Sequence, residues 1–309
     1  MAQRSKQRSR GRRTNDRSRG RPTIEAPIVL PPSASTSLFG FEVSPEEIAA
    51  NERASKMLLV RLLGPIALLL GVVLGIVGYA ALGIPLALLL VALVIGLTLA
   101  FGKSLNNTAV PYTLKLIGAT KVDASEEPRL ANLVNSMVAT VGLSAPSFAI
   151  IDDALPNACS VGSGAEATLV VTRGLLTELD LIELEGVIAH ELAHLRRGDG
   201  DRAALAVRCL AFRPGSRRSE ALHRGVGIGR ELRADQIGAA SVRYPRGMAS
   251  AMAICESGAQ PQPSSFFASP AFLSTRWLWF DPMVGERSAE AACGNHDATS
   301  LRLAVLEEW

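Results

Sequence analysis

The chain has 309 residues, 48% of them hydrophobic and 20% charged, with a formal net charge of +3. That length allows one sizeable domain or two small ones. The sign of the charge misleads: residues 1–22 carry nine Lys or Arg against the single Asp16, and without them 23 basic and 28 acidic side chains remain, a net of −5. The four cysteines, Cys159, Cys209, Cys255 and Cys293, form no Cys-x-x-Cys pair, which excludes a cysteine-based redox or structural zinc motif. They are expected as free thiols in a reducing compartment.

Residues 1–45 read as a basic disordered tail and Pro/Ser linker, punctuated by Pro22, Pro27, Pro31, Pro32 and Pro45. The tail is suited to anionic lipid headgroups. Nucleic acid is a weaker partner for it, because no aromatic residue interleaves the arginines to stack on bases. The region 46–103 divides into a juxtamembrane helix over 45–56, with Ser44 as its cap, and an apolar stretch. From Leu62 to Gly102 there is no Asp, Glu, Lys or Arg. A straight helix of that length would run about 60 Å, twice the hydrocarbon thickness, so the stretch must fold back. Gly83-Ile84-Pro85 is the natural turn. Two transmembrane helices are therefore expected, about 60–81 and 84–102; the alternative is a hairpin buried in a soluble core. Lys56, Arg61 and Lys103 flank the spans, which predicts a multi-pass cell-membrane protein with its N-terminus and the domain over 104–309 on the cytoplasmic side.

In that domain Leu130, Leu133, Val134, Met137, Val138 and Val141 follow helical spacing over 128–143. Residues 147–151 and 167–172 read as strands around a turn rich in Asp, Pro and Asn. Helices are expected over 180–197, 199–212, from 231, over 245–255 and over 299–309, with loops at 213–229 and 258–269. The helix at 180–197 carries His190-Glu191-Leu192-Ala193-His194. Histidines four apart project from one helical face, at a spacing that lets two imidazoles reach one Zn²⁺. Glu191 sits beside them as the base that takes a proton from water. A catalytic zinc needs a third protein ligand. Glu231 in Arg230-Glu231-Leu232-Arg233-Ala234-Asp235 is the candidate, and Asp235, one turn on, can orient a ligand by a hydrogen bond.

These motifs resemble the HtpX-like membrane zinc metallopeptidases, a gluzincin group that also includes the CAAX prenyl proteases. Pro156-Asn157-Ala158-Cys159-Ser160-Val161-Gly162 is similar to the family's Pro-Asn-Ala-Phe-Ala-Thr-Gly strand. Leu169 to Leu176 resembles the strand and turn leading into the zinc helix, and Asp199 falls where the family places an acid after the motif. Glu231 to Asp235 fit its Glu-x-x-Ala-Asp signature, and His296 and Arg302 keep the spacing of a His-Pro-x-x-x-x-Arg element with Asp297 in place of the proline. The family's second pair of membrane spans has no counterpart; residues 203–212 contain Arg208 and reach only about 15 Å as a helix.

The resemblance implies an α+β fold, mainly helical and zincin-type, with a small β-sheet behind the transmembrane hairpin. It implies one Zn²⁺ per chain, held by His190, His194 and Glu231, with Glu191 catalytic. It further suggests His296 as a catalytic stabiliser of the oxyanion, with His223 and Tyr244 as replacements, and Asn157 and Ala158 as binders of the substrate backbone. An exposed edge at Asn157 would take an extended peptide as an added strand. The expected activity is endopeptidase cleavage of membrane or membrane-proximal proteins in quality control. The competing reading is a membrane-anchored scaffold of the same fold without turnover.

Overall fold

The computed structural model describes residues 43–210, 224–227, 229–257, 262–282 and 299–308. The expectations for the basic tail, for 213–223, for His223 and for His296 lie outside them.

Helix α1 (Pro45–Leu82) starts where the Ser44 side chain accepts the Glu47 N–H and Pro45 takes the first turn. The separate juxtamembrane helix expected from the sequence is absorbed into it. No breaker stands between Lys56 and Arg61, and the helix continues through Pro65 to a single 38-residue rod. It stops at Gly83, whose φ of 73° suits a residue without Cβ. Helix α2 (Ile84–Asn107) returns antiparallel. Both helices are long and apolar enough to cross a membrane, and the most apolar windows are almost entirely unburied by protein, at 0% and 6%. That exposure argues against a hairpin hidden in a soluble core, since Leu68, Leu69, Leu88 and Leu99 all face outward.

The body follows. Helix α3 (Ala109–Leu116) leads to β1 (Thr120–Val122), neither of which the sequence pattern announced. Next come α4 (Pro128–Val141), β2 (Ser147–Ile151), β3 (Ala158–Val161), β4 (Thr168–Thr172) and α5 (Arg173–Glu178). Then follow α6 (Leu181–Arg197), α7 (Asp199–Leu210), α8 (Arg230–Ser241), α9 (Arg246–Ser257), α10 (Pro270–Thr275) and α11 (Thr299–Glu307). The sheet order is β1-β2-β4-β3, with β2 and β4 parallel and the two outer pairings antiparallel.

One core lies between the sheet and α4, α6 and α9, around Leu130, Val134, Leu169, Leu184 and Ile188. A second lies beneath α3 and α7, around Leu114, Val161, Leu205 and Trp279. Helix α7 is buried along Ala203 to Val207, which makes it a core helix and not a span, as its length required.

β3 is the last strand of the sheet, but its outer edge is taken. Phe280 donates its N–H to the Ala158 carbonyl at 2.8 Å, and Cys159 bridges Trp279 in antiparallel fashion. The Asn157 side-chain amide bonds both ways with the Asp281 backbone, at 2.7 and 3.1 Å. The open edge foreseen at Asn157 and Ala158 is thus occupied by the chain itself, and both residues are fully buried. The reason is geometric: an unpaired buried edge would leave its N–H and C=O groups without partners.

Candidate metal centre

Helix α6 is positioned at both ends. Asp180 Oδ1 accepts the Ile182 and Glu183 N–H groups at 2.8 Å, and Glu183 reaches back to the Asp180 N–H at 2.9 Å, a capping box. Gly198 closes it in the left-handed region with φ 67°. Between them Leu184, Val187, Ile188 and Leu192 bury one face in the core. The adjoining face holds His190, Glu191 and His194, exposed by at most 1%.

Helix α8 approaches that face closely. A Cβ on Gly238 would lie 2.9 Å from the His190 backbone nitrogen and 2.8 Å from Met248 Cε, so only a hydrogen fits there. This approach delivers Glu231. Its Oε2 lies 3.1 Å from His190 Nε2 and 3.5 Å from His194 Nε2, and the two imidazole nitrogens are 3.0 Å apart. The three donors all fall within 4.8 Å of one another. Two ring nitrogens and a carboxylate oxygen, buried and converging, match the donor set of a divalent transition metal.

The outward nitrogens are tied down as well. His190 Nδ1 meets Asp235 Oδ1 at 2.8 Å, and His194 Nδ1 meets Asp199 Oδ1 at 3.0 Å. Such carboxylates fix the tautomer and ring orientation that a metal ligand requires. Arg302 Nε and Nη2 in turn clamp the Asp235 carboxylate at 2.6 and 2.9 Å. Arg197 Nη1 holds Asp199 Oδ2 at 2.8 Å, and Arg230 Nε sits 2.8 Å from Glu231 Oε1.

Charge follows from these pairings. Burial alone would raise the Asp235 carboxyl, but Arg302 and His190 outweigh it and hold it at about 2. Burial pushes His190 down, while Asp235 and Glu231 pull it up to about 9. Glu231 stays well below the usual carboxylate range because Arg230 and His194 overcome its burial. Asp199 is lowered in the same way by His194 and Arg230. Burial, reinforced by Glu191, keeps the Cys159 thiol protonated.

Glu191 differs from every other acid here. Both of its oxygens are buried without a hydrogen-bond partner among the described residues. A carboxylate in that condition is costly unless water, a cation or substrate meets it.

Of the residues singled out from the sequence, the structure brings His190, Glu191, His194, Glu231 and Asp235 together. Ala158 opens β3 and Asn157 directly precedes it; they are engaged by Phe280 and Asp281, and the Phe280 ring stands edge-on to His190 with centroids 5.0 Å apart. Tyr244, by contrast, is 55% exposed. From the sequence, the resemblance marks Asp199 and Arg302 without their contacts, and Arg197, Arg230 and Phe280 are not marked at all. A signal existed for Arg302, since an arginine within Leu301-Arg302-Leu303-Ala304-Val305-Leu306 needs a buried partner.

The profile of Peptidase family M48 matches residues 124–213. A protease HtpX homolog of Streptococcus gordonii is 35% identical over 163 residues, covering 52% of this chain and 53% of that protein, so the match spans about half of that relative. The homolog of Salinibacter ruber is 30% identical over 249 residues, covering 69% of this chain and 88% of the relative. That of Gemmatimonas aurantiaca is 30% identical over 220 residues, covering 57% and 79%. No solved structure matches the chain significantly. With its donor triad on the α6 and α8 helices and this extent of similarity, the chain belongs to peptidase family M48, among the HtpX-type metallopeptidases.

Proposed function

We propose that this chain is a zinc-dependent endopeptidase that cleaves membrane or membrane-proximal proteins at the cytoplasmic face of a membrane. The observation that carries the reading is the unpartnered, buried carboxylate of Glu191 beside the converging donors of His190, His194 and Glu231. When bound by those three donors, Zn²⁺ supplies Lewis acidity and makes a water nucleophilic near neutral pH. Glu191 takes the proton of the attacking water and returns it to the leaving amine. Asp235 and Asp199 keep the two imidazoles turned inward through the cycle. The low-dielectric surroundings strengthen each of these interactions.

His296 remains the proposed donor to the oxyanion, from the resemblance alone. Binding of substrate along β3 requires Trp279 to Asp281 to release the edge they hold, after which Asn157 and Ala158 are free to pair with an extended peptide. Quality control of membrane proteins fits helices α1 and α2, which tether the centre close to the lipid. Anionic lipids are the proposed partners of residues 1–22, and the positive flanks of the spans support the cytoplasmic orientation.

Metal analysis and casein cleavage test the proposal together. Purified wild-type chain is expected to hold about one zinc and to cleave, whereas Glu191→Gln keeps the zinc and loses activity by a factor on the order of 10³ or more. Equal cleavage by the two proteins would overturn the mechanism. Zinc binding without cleavage by either would favour the scaffold reading.

A further inference from the structure

At the foot of α1, where its last charge before the membrane stretch is Arg61, the protein has a cavity of about 520 Å³. Three arginines line it: Arg61 from α1, Arg202 from α7 and Arg224 from the helical segment at 224–226. Among the described residues, no acidic side chain lines it. Its remaining wall is apolar, formed by Leu58, Leu62 and Leu210. Arg202 is anchored rather than free to swing, since its Nε donates to the Gly225 carbonyl at 2.9 Å and its Nη2 to the Arg224 carbonyl at 3.3 Å.

The neighbouring cavity makes this charge pattern specific. A space of about 430 Å³ on another face of α1, at nearly the same height, is lined by Glu52, Glu166 and Asp201 against the single Lys56. A general excess of positive residues beside a membrane would favour both cavities alike. Among the described residues, the first has three guanidinium groups and no carboxylate, and the second has three carboxylates.

We infer that the Arg61–Arg202–Arg224 cavity binds the phosphate of an anionic phospholipid headgroup, with the start of an acyl chain lying on Leu58, Leu62 and Leu210. Guanidinium forks suit phosphate oxygens in geometry as well as charge. The volume falls within the range of small-molecule sites. The position fits as well: Arg61 is the last charge before the apolar stretch that starts at Leu62, at the level where headgroups lie. A bound headgroup bridges α1, α7 and the helical segment at 224–226 that precedes α8. It therefore braces the helix that carries Asp199 and the segment that delivers Glu231. This site is distinct from residues 1–22, whose charges are not needed to form it.

The test uses the full-length chain in lipid nanodiscs, with Met57, which also lines the cavity, replaced by the photoreactive residue benzoylphenylalanine. Discs of phosphatidylcholine alone are compared with discs that also contain phosphatidylglycerol. Irradiation is expected to give a phosphatidylglycerol adduct in preference to a phosphatidylcholine one. The double variant Arg61→Gln/Arg224→Gln is expected to lower the adduct by about tenfold or more, while Lys56→Gln leaves it unchanged. Arg202 is kept because it fastens the segment at 224–226. Should the double variant fold poorly, Leu58→Trp fills the cavity with all charges intact and is expected to abolish the same adduct.

Equal labelling of both lipids, or full labelling of the double variant, overturns the proposal. Suppression by inorganic phosphate with equal loss of both adducts assigns the cavity to free phosphate and overturns the lipid. The Glu191→Gln chain must give the wild-type adduct, so failure here is separable from failure of the peptidase reading.

Discussion

The two imidazoles of the centre are supported by arms of the same design and different depth. His190 leans on Asp235, which is clamped by two nitrogens of Arg302, and all three side chains are fully buried. His194 leans on Asp199, which is held by Arg197, a residue whose side chain is 12% exposed and which also bonds the Arg230 carbonyl. Chemically each arm is histidine, carboxylate, guanidinium. Energetically they differ, because the inner arm has no access to water to replace a lost partner. The inner arm also closes the fold, since Arg302 donates to the Phe280 carbonyl at 2.7 Å and so joins α11, α8 and the strap along β3. The outer arm lies at the junction of α6 and α7 and touches α1 through Arg197 and Glu47.

The comparison breaks first at Arg302. Arg302→Met leaves the buried Asp235 with His190 as its remaining partner and without its guanidinium clamp, and is expected to destabilise the protein by about 3–5 kcal/mol in chemical unfolding. If the loss is instead no greater than that of Arg197→Gln, depth does not distinguish the arms. Acid provides the same test without mutation. Asp235 in the folded protein titrates at about 2, below its ordinary 3.8, so its contribution is complete above the ordinary value and disappears as pH falls through about 2. The unfolding midpoint in a pH series should therefore hold down to about pH 4 and drop below it in wild type. In Arg302→Met that acid limb should be displaced upward.

Asp199→Asn sharpens the outer arm. It removes the carboxylate behind His194 and is expected to weaken metal affinity about 10–100-fold in chelator competition, with a smaller cost in stability than Arg302→Met. The smallest effect belongs to Arg197→Gln, which is expected to change unfolding free energy by no more than about 1 kcal/mol because its charge is partly solvated. A drop comparable to that of Arg302→Met would show that the outer arm is as desolvated as the inner.

Much of this architecture was legible in the chain. The α6 boundaries follow from Asp180, Glu183 and Gly198, whose roles are local. The donor triad follows from two short motifs, and the hairpin from a stretch without charge. What stayed hidden depends on partners distant in sequence. Strand β1 has three residues, too few for a period to declare itself, and exists through pairing with Phe148 to Ile150. The strap at 279–281 is no strand by itself; an isolated bridge and backbone bonds hold it to the edge of β3, more than a hundred residues earlier. For the same reason the edge at Asn157 looked open from its own sequence. The merging of the juxtamembrane helix with the first span was missed because charge was read as a boundary, although nothing in Met57 to Val60 interrupts a helix.

Gly238 carries a consequence out of proportion to its size. It binds nothing and reacts with nothing, yet the missing methyl group lets one rod of the scaffold rest directly on the backbone of another. Added bulk there would push α8 outward and withdraw the tip of Glu231 from its two companions. A shift of about 1 Å at a reacting centre is enough to slow turnover about a hundredfold. The tolerance of this catalyst is thus governed by a hydrogen atom wedged against the backbone of His190.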